Sequence, residues 1–234
     1  MTAAKKSIAI ITARGGSKRI PGKNIRPFLG QPIIKYSIDA ALQSGCFDEV
    51  MVSTDDPAIA DLAKKFGATV PFLRSTSTSG DFSTTVEVLE EVLLDYKKKG
   101  KNFDYCCCLY PTAPFINSEK LIEASRLLKE TNADGILPVT RFSYPILRSL
   151  KIENGLVKMN WPEHLNSRSQ DLPPAFHDCG QFYFLKCETV LNKKKLFTDL
   201  TVPMEIPESE VQDIDNEEDW KIAEAKYSIL KKTK

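Results

Sequence analysis

The sequence predicts an α/β protein built on a mostly parallel sheet, and three observations predict it. Short apolar runs recur along the chain, stretches with helical spacing lie between them, and the first run opens into a loop of glycines and basic side chains. Residues 8–13, 49–53, 105–109 and 135–139 are apolar over the length of a strand, as strands covered on both faces should be. The helical stretches are 32–44, 57–66, 83–98 and 118–130. In the second, Ile59, Leu62, Ala63 and Phe66 share one face, and Asp55-Asp56-Pro57 makes a helix start because proline needs no donor at the first helical position. Such alternation implies right-handed crossovers between parallel strands. Over residues 141–176 the rhythm changes. Asn154-Gly155 separates Leu150-Lys-Ile152 from Leu156-Val-Lys-Met159, a hairpin pattern, and a mixed polar and aromatic stretch precedes another strand at 181–185. One domain is expected over 1–234, with a small β-containing insert at about 141–176.

Lysines and arginines number 32 against 31 acidic residues, a net charge of +1. That balance argues against a dedicated nucleic-acid binder, so basic clusters are read as local sites. No apolar stretch is long enough to span a membrane and no signal-peptide pattern is seen, so a cytoplasmic protein is expected. Of the six cysteines, Cys106, Cys107 and Cys108 are consecutive in a strand-like run. Adjacent strand residues face opposite ways and make poor disulfide partners, and no Cys-x-x-Cys pair suggests zinc. Reduced thiols packed as small hydrophobes are the favoured reading.

The basic loop is Arg14-Gly-Gly-Ser-Lys-Arg-Ile-Pro-Gly-Lys-Asn24, with Arg14, Lys18, Arg19 and Lys23 within ten residues. Glycines let backbone N–H groups approach an anion, and the cations supply the charge that phosphate oxygens demand. It is neither a Walker loop nor a dinucleotide fingerprint. Its place after the first strand is where nucleotides bind in α/β sheets, and a triphosphate is the expected ligand. Near the C-terminus, Val211-Gln-Asp-Ile-Asp215 sets two carboxylates two residues apart, on the same side of an extended backbone. A bare Asp-x-Asp is equally an acidic surface turn. A triphosphate changes the balance, because it brings Mg²⁺, which takes one or two protein carboxylates plus phosphate oxygens and water. No Gly-x-Ser-x-Gly elbow accompanies His164 or His177, so a hydrolytic triad is not expected.

Ala13 to Asn24 resembles the signature of the CMP-sugar synthetases, cytidylyltransferases that activate nonulosonic acids. The resemblance runs from Ile8 to about Tyr227 and implies a Rossmann-like nucleotidyltransferase fold, with the insert forming a homodimer interface. It implies transfer of a cytidylyl group from CTP with Mg²⁺ held by Asp213 and Asp215. Arg14, Lys18 and Lys23 would act on the phosphates, with Ala13, Gly15, Gly16, Ser17 and Asn24 around the nucleotide. Val70-Pro-Phe-Leu-Arg74 and the stretch to Thr85 resemble the arm that reads cytosine, which gives Arg74, Ser83 and Thr85. Asn216 stands where members often have Thr, and can cap the expected final helix, 216–230, about as well.

Two stretches resemble the family's sugar site: Asn166-Ser-Arg-Ser-Gln-Asp-Leu172 and Ala175-Phe-His-Asp-Cys-Gly-Gln-Phe-Tyr183. They give Arg168, Gln170, Asp171, His177, Asp178 and Gln181, to which Tyr110 of Leu109-Tyr-Pro-Thr-Ala-Pro114 is added. Arg168 has the planar fork that suits a carboxylate. Sialic-acid enzymes usually carry Gln at the place of Tyr110 and Asn-Gly at Cys179-Gly180. The wording here looks like the branch that acts on pseudaminic acid, which usually has Ala at the place of Cys179. That kinship implies a role in decorating flagella or surface polysaccharide. The same reaction on N-acetylneuraminic or legionaminic acid, or a non-catalytic nucleotide-binding dimer, stands as the alternative.

Overall fold

A computed structural model describes residues 5–232; the expected domain's ends, 1–4 and 233–234, lie outside the described residues. In chain order the strands and helices begin with β1 (Ser7–Thr12), the short β2 (Pro27–Phe28) and β3 (Gln31–Pro32), and α1 (Ile34–Ser44). Then come β4 (Glu49–Ser53), α2 (Pro57–Lys65), α3 (Thr85–Lys98), β5 (Tyr105–Leu109) and α4 (Ser118–Glu130). The second half holds β6 (Gly135–Arg141), β7 (Leu150–Glu153), β8 (Leu156–Met159), β9 (Phe176–Asp178), β10 (Phe182–Lys186), β11 (Thr201–Glu205) and α5 (Glu217–Lys232).

The main sheet runs β11-β6-β10-β5-β1-β4, with β9 paired to β6. β1 is parallel to β4 and β5, and β6 is parallel to β11. β10 is antiparallel to both β5 and β6, so five strands point one way while β9 and β10 oppose them. The mostly parallel sheet is thus as expected, with an antiparallel strand wedged at its centre. β9 and β11 were not legible: β9 is short and exposed, and β11 is only half covered.

Two apolar layers sandwich the sheet, and strand parity assigns them. Ala9, Ile11, Cys107, Leu109, Phe182 and Phe184 pack towards α1 and α4, whereas Ile8, Ile10, Cys106, Cys108, Tyr183 and Leu185 pack towards α3. The three consecutive cysteines are fully buried free thiols, as expected of small hydrophobes. Burial pushes the Cys107 thiol well above its usual range, which keeps it inert.

Helix starts follow the local sequence. The Asp56 carboxylate accepts from the Ala58 and Ile59 amides ahead of α2, and Thr84 and Glu87 form a reciprocal capping box on α3. Asn216 Oδ1 accepts from the Glu218 and Asp219 amides at 2.8 and 3.0 Å, so it caps α5 as expected. The insert leaves and rejoins the sheet at one rung, Arg141 opposite Phe176. Its hairpin, β7 and β8, forms a separate two-stranded sheet, and Asn154 and Gly155 adopt φ 53° and 75°, the left-handed pair that a tight hairpin turn requires.

A third apolar cluster positions the site. Ile20 of the basic loop, Phe28 and Ile33, Phe115, Ile214, and Trp220 and Ala223 of α5 are buried together. Phe28 meets Trp220, Tyr36 and Tyr227 edge-to-face at 5.5–5.7 Å between ring centroids. Trp220 is 2% exposed, and truncating it opens a cavity under both loops. Trp220→Ala is therefore expected to cost about 3–5 kcal/mol. Thermal unfolding checks this; a melting temperature equal to that of the parent chain would mean that α5 is not anchored there.

Candidate active site

The C-terminal ends of β1 and β5 open into a cleft of about 640 Å³, the position at which α/β sheets bind ligands. Arg14, Ser17, Lys18, Lys23, Asn24, Arg74, Ser83, Thr85, Tyr110, Asp213 and Asp215 all line it, so most residues read from the sequence converge there. Segments some 200 residues apart are brought together by the third cluster, because Ile20 and Ile214 are both fully buried in it.

The basic loop is shaped by its own backbone and two neighbours. Ala13 is buried and its amide donates to Ser53 O at 2.9 Å, which continues the β1 ladder by one residue. The Gly15 amide donates to Asp55 Oδ1 at 2.9 Å. A Cβ on Gly15 would lie 2.9 Å from Asp56 Cβ, so the helix start at Asp56 leaves room only for glycine there. Gly16 faces open space, and the Ser17 amide turns back to Gly15 O at 3.1 Å. Asn24 is buried and its side-chain amide donates to Arg14 O at 2.8 Å, so it supports the loop from beneath.

Each cation already faces an acid. Arg14 donates to Asp81 Oδ1 at 2.9 Å and to Gly80 O at 3.1 Å, while Lys18 donates to Asp81 Oδ2 at 2.5 Å. The bond from Lys18, then that from Arg14, holds the Asp81 carboxyl below its usual range. Arg19 pairs with Asp215 at 2.8 Å and so belongs to the site. Lys23 donates to Ile214 O at 2.5 Å and lies 3.8 Å from Asp215. Burial lowers the Lys23 ammonium pKa, opposed by Asp215 and Asp213. Asp213 and Asp215 flank buried Ile214 and face the cleft together, as the two-residue spacing predicts. Desolvation first, and Asp215 second, raise the Asp213 carboxyl.

On the opposite wall Arg74 is 8% exposed. Its Nε and Nη2 donate to Ser53 Oγ and Ser53 O at 3.0 and 2.6 Å, and burial lowers its pKa. Nη1 is the remaining nitrogen of a rigid fork set beside the cleft. Ser83 donates to Ser77 O at 3.2 Å, and Thr85 Oγ1 lies 3.1 Å from the Tyr110 hydroxyl.

The residues read as sugar ligands divide. Tyr110 is in the cleft; behind it Tyr183 stacks edge-on at 5.8 Å and donates to Asp178 Oδ2 at 2.5 Å. The other Asp178 oxygen accepts from the Gly180 amide at 2.8 Å, and the 178–180 turn abuts Asp213. His177 is exposed on β9, its Nδ1 2.9 Å from Asp178 O and its ring 4.7 Å from that of Phe142. Gln181 is 1% exposed, and its amide donates to Glu210 O at 2.6 Å. Arg168 and Asp171 pair with each other on the insert at 2.6 and 3.1 Å, and Gln170 lines a separate groove of about 420 Å³ with Arg141, Phe142 and Glu208. Of the seven residues read as sugar ligands, the structure brings only Tyr110 into the lining of the cleft; Arg168, Gln170 and Asp171 stand away on the insert, and His177, Asp178 and Gln181 lie outside the lining. Sequence reasoning missed Asp81 and Tyr183. Asp81 sits in a polar loop without a pattern, whereas Tyr183 lay inside a quoted motif and could have been found from strand parity.

Residues 8–198 match the family described as cytidylyltransferase. The chain belongs to that family. Relatives of this cytidylyltransferase include the pseudaminic acid cytidylyltransferase of Campylobacter jejuni subsp. jejuni serotype O:2, 40% identical over 96% of this chain and 97% of that one. The CMP-N,N'-diacetyllegionaminic acid synthase of Legionella pneumophila is 34% identical over 93% of this chain and 94% of that one. A solved CMP:2-keto-3-deoxy-manno-octonic acid synthetase complexed with CTP superposes with a TM-score of 0.70 at 18% identity, covering 97% of this chain and 100% of that one, which shows a shared fold.

Two outcomes are expected at the basic loop. Lys23→Ala should lower turnover about 10²–10³-fold, the usual cost of removing one donor to developing charge; pyrophosphate release at saturating nucleotide measures it, and a change under threefold would remove Lys23 from the phosphates. Asp81→Asn should tighten nucleotide binding by about two- to fivefold, since an exposed ion pair of modest strength no longer has to open. Calorimetry would read that directly, and weaker binding would show Asp81 to be a ligand instead of a competitor.

Proposed function

We propose that the protein transfers a cytidylyl group from CTP to pseudaminic acid, giving CMP-pseudaminic acid and pyrophosphate. The observation that carries the reading is the convergence of Arg14, Lys18 and Lys23 with Asp213 and Asp215 across one cleft. The relatives named above supply the choice of acid. A sugar hydroxyl oxygen attacks the α-phosphorus, the bond to the pyrophosphate oxygen breaks, and the hydroxyl proton is released. Charge grows on the α-phosphate oxygens and on the leaving pyrophosphate, so cations aimed at both do the work. Arg14 and Lys18 exchange Asp81 for phosphate oxygens. Lys23, half-buried beside Asp215, faces the phosphates from the floor.

Asp213 and Asp215 would hold Mg²⁺. They are hard oxygen donors, and among the described residues no cluster of three His, Cys, Asp or Glu forms a complete metal cage. A set of two carboxylates suits an ion that keeps its other positions for phosphate and water. When bound, the ion neutralises phosphate charge and helps orient the triphosphate. Arg74, Ser83 and Thr85 read the base, with Ala13, Gly15, Gly16, Ser17 and Asn24 shaping the loop that the phosphates enter. Tyr110, His177 and Asp178 form the acceptor end.

The reading includes a homodimer. On one face of the hairpin, Leu150, Ile152 and Val157 are 60–77% exposed, an apolar surface that a second copy would cover. Dimerisation would also give Arg168, Gln170 and Asp171 a cleft to serve. Among the described residues no helix is long and apolar enough to cross a membrane, and the six cysteines are free thiols, which suits a cytoplasmic enzyme.

Pyrophosphate release from CTP and Mg²⁺ with pseudaminic, N-acetylneuraminic and N,N'-diacetyllegionaminic acids tests the proposal. Pseudaminic acid should lead by about a hundredfold or more in kcat/KM, the discrimination open to a site that hydrogen-bonds its substrate. A lead for another acid keeps the chemistry and changes the substrate; no release with any acid overturns the reading. Asp213→Asn should cut metal-dependent turnover by at least about a hundredfold, beyond what supporting residues cost. Turnover close to that of the parent would remove Asp213 from the metal.

A further inference from the structure

The segment bearing Asp213 and Asp215 belongs to no strand or helix, yet its carboxylates face the cleft in a defined way. Loops hold such geometry only when their backbone is tied down. Three lysines do so from three places. Lys226 of α5 donates to Glu208 O and Val211 O at 3.3 and 2.8 Å, and Lys23 takes Ile214 O. The third, Lys120, lies on the first turn of α4 and is 8% exposed. Its Nζ meets Glu210 Oε2 at 2.7 Å and donates to Phe115 O at 2.9 Å. Glu210 is half-buried and three residues before Asp213.

Gln181 supplies the independent observation. Its Nε2 donates to the same residue's carbonyl, Glu210 O, at 2.6 Å, which fixes the amide's orientation. Its Oε1 is buried without a hydrogen-bond partner among the described residues. An unsatisfied buried oxygen is a cost, tolerated here for the bond that its nitrogen makes. Glu210 is thus gripped by its side chain from α4 and by its backbone from the start of β10.

We infer that Lys120 is a positioning residue for the reaction: through Glu210, and with Gln181, it sets the bearing of Asp213 and Asp215 over the cleft. The inference rests on the reading of those carboxylates as metal ligands. It assigns Lys120 a role that its place on α4, outside every motif, does not suggest, and it makes Gln181 a strut and not a sugar ligand.

The test measures Mn²⁺ binding by electron paramagnetic resonance, with CTP present, in the parent chain and in Lys120→Met, Glu210→Gln, Lys120→Arg and Asp213→Asn. Metal-free CTP affinity, in chelator, is measured alongside. Lys120→Met and Glu210→Gln should each weaken Mn²⁺ about tenfold, the usual effect of losing a support behind a ligand, and leave metal-free CTP affinity within about twofold. Lys120→Arg should restore most of the loss. A purely structural role would lower the melting temperature without selecting the metal step. Should Lys120→Met fail to fold, Glu210→Gln decides, since it keeps the carbonyl that Gln181 holds. If Asp213→Asn loses Mn²⁺ while both Glu210→Gln and any folded Lys120→Met bind it like the parent, the inference is overturned. If Asp213→Asn itself binds normally, the metal reading fails and takes the inference with it.

Discussion

Burial of Ile20 and Ile214 in one apolar cluster is the constraint on which the rest of the site depends. Each sits in a charged loop, directly after Lys18 and Arg19 in the first case and between two aspartates in the second. Neither loop has the composition to fold against anything by itself. One isoleucine from each, buried beside Phe28, Phe115 and Trp220, brings cations and carboxylates together at the same cleft. Burying such a side chain is worth about 1.5–3 kcal/mol, more than the exposed ion pairs across the cleft, at roughly 0.2–1 kcal/mol each, can supply. The hydrophobic cluster therefore sets the geometry, and the charges adapt to it.

The adaptation is visible in the pairing. Asp81 spans Arg14 and Lys18, and Asp215 spans Arg19 and Lys23. Four clustered cations would otherwise repel one another and weaken the loop. Exposed carboxylates relieve that repulsion cheaply, and because such pairs are weak, an anion of higher charge can displace them. Arg74 differs: buried and bonded twice to Ser53, it is fixed before any ligand arrives. One wall of the cleft is preorganised and the other exchangeable, which suits a rigid base beside a triphosphate that reacts and departs.

What was legible follows the range of the interaction. Strands and helices governed by apolar period and by caps stand where residues such as Ile59, Asp56 and Asn154-Gly155 place them, because those signals act within a few residues. The basic loop and Asp213–Asp215 were legible as chemistry, and their meeting was legible only by resemblance, since no local rule joins residues nearly 200 apart. β10 escaped in its direction: Phe182 to Lys186 reads as a buried strand either way round, and apolar period carries no sign for parallel or antiparallel. Asp81 escaped because a lone acid in a serine-rich loop has many equivalent roles until its partners are known. A glutamine next to ligand-like residues invites a ligand role; the burial of Gln181 and its bond to Glu210 O, which no local pattern announces, favour the strut inferred above.

The acceptor end shows the limit of one chain. Tyr110, Tyr183 and Asp178 form a continuous relay from the base wall to the turn beside Asp213. That relay offers hydroxyls and one carboxylate, and no guanidinium. A nonulosonic acid brings a carboxylate of its own, and a second anion beside Asp178 and Asp213 calls for a cation. Arg168 is held by Asp171 on the insert, outside the cleft, in the same kind of exposed and exchangeable pair that Asp81 makes with Arg14. The insert carries that arginine together with the most exposed apolar hairpin of the fold. In the proposed homodimer, closing the apolar surface against a second copy and completing the charge at the acceptor end would be one event, and recognition of the acid would be coupled to assembly.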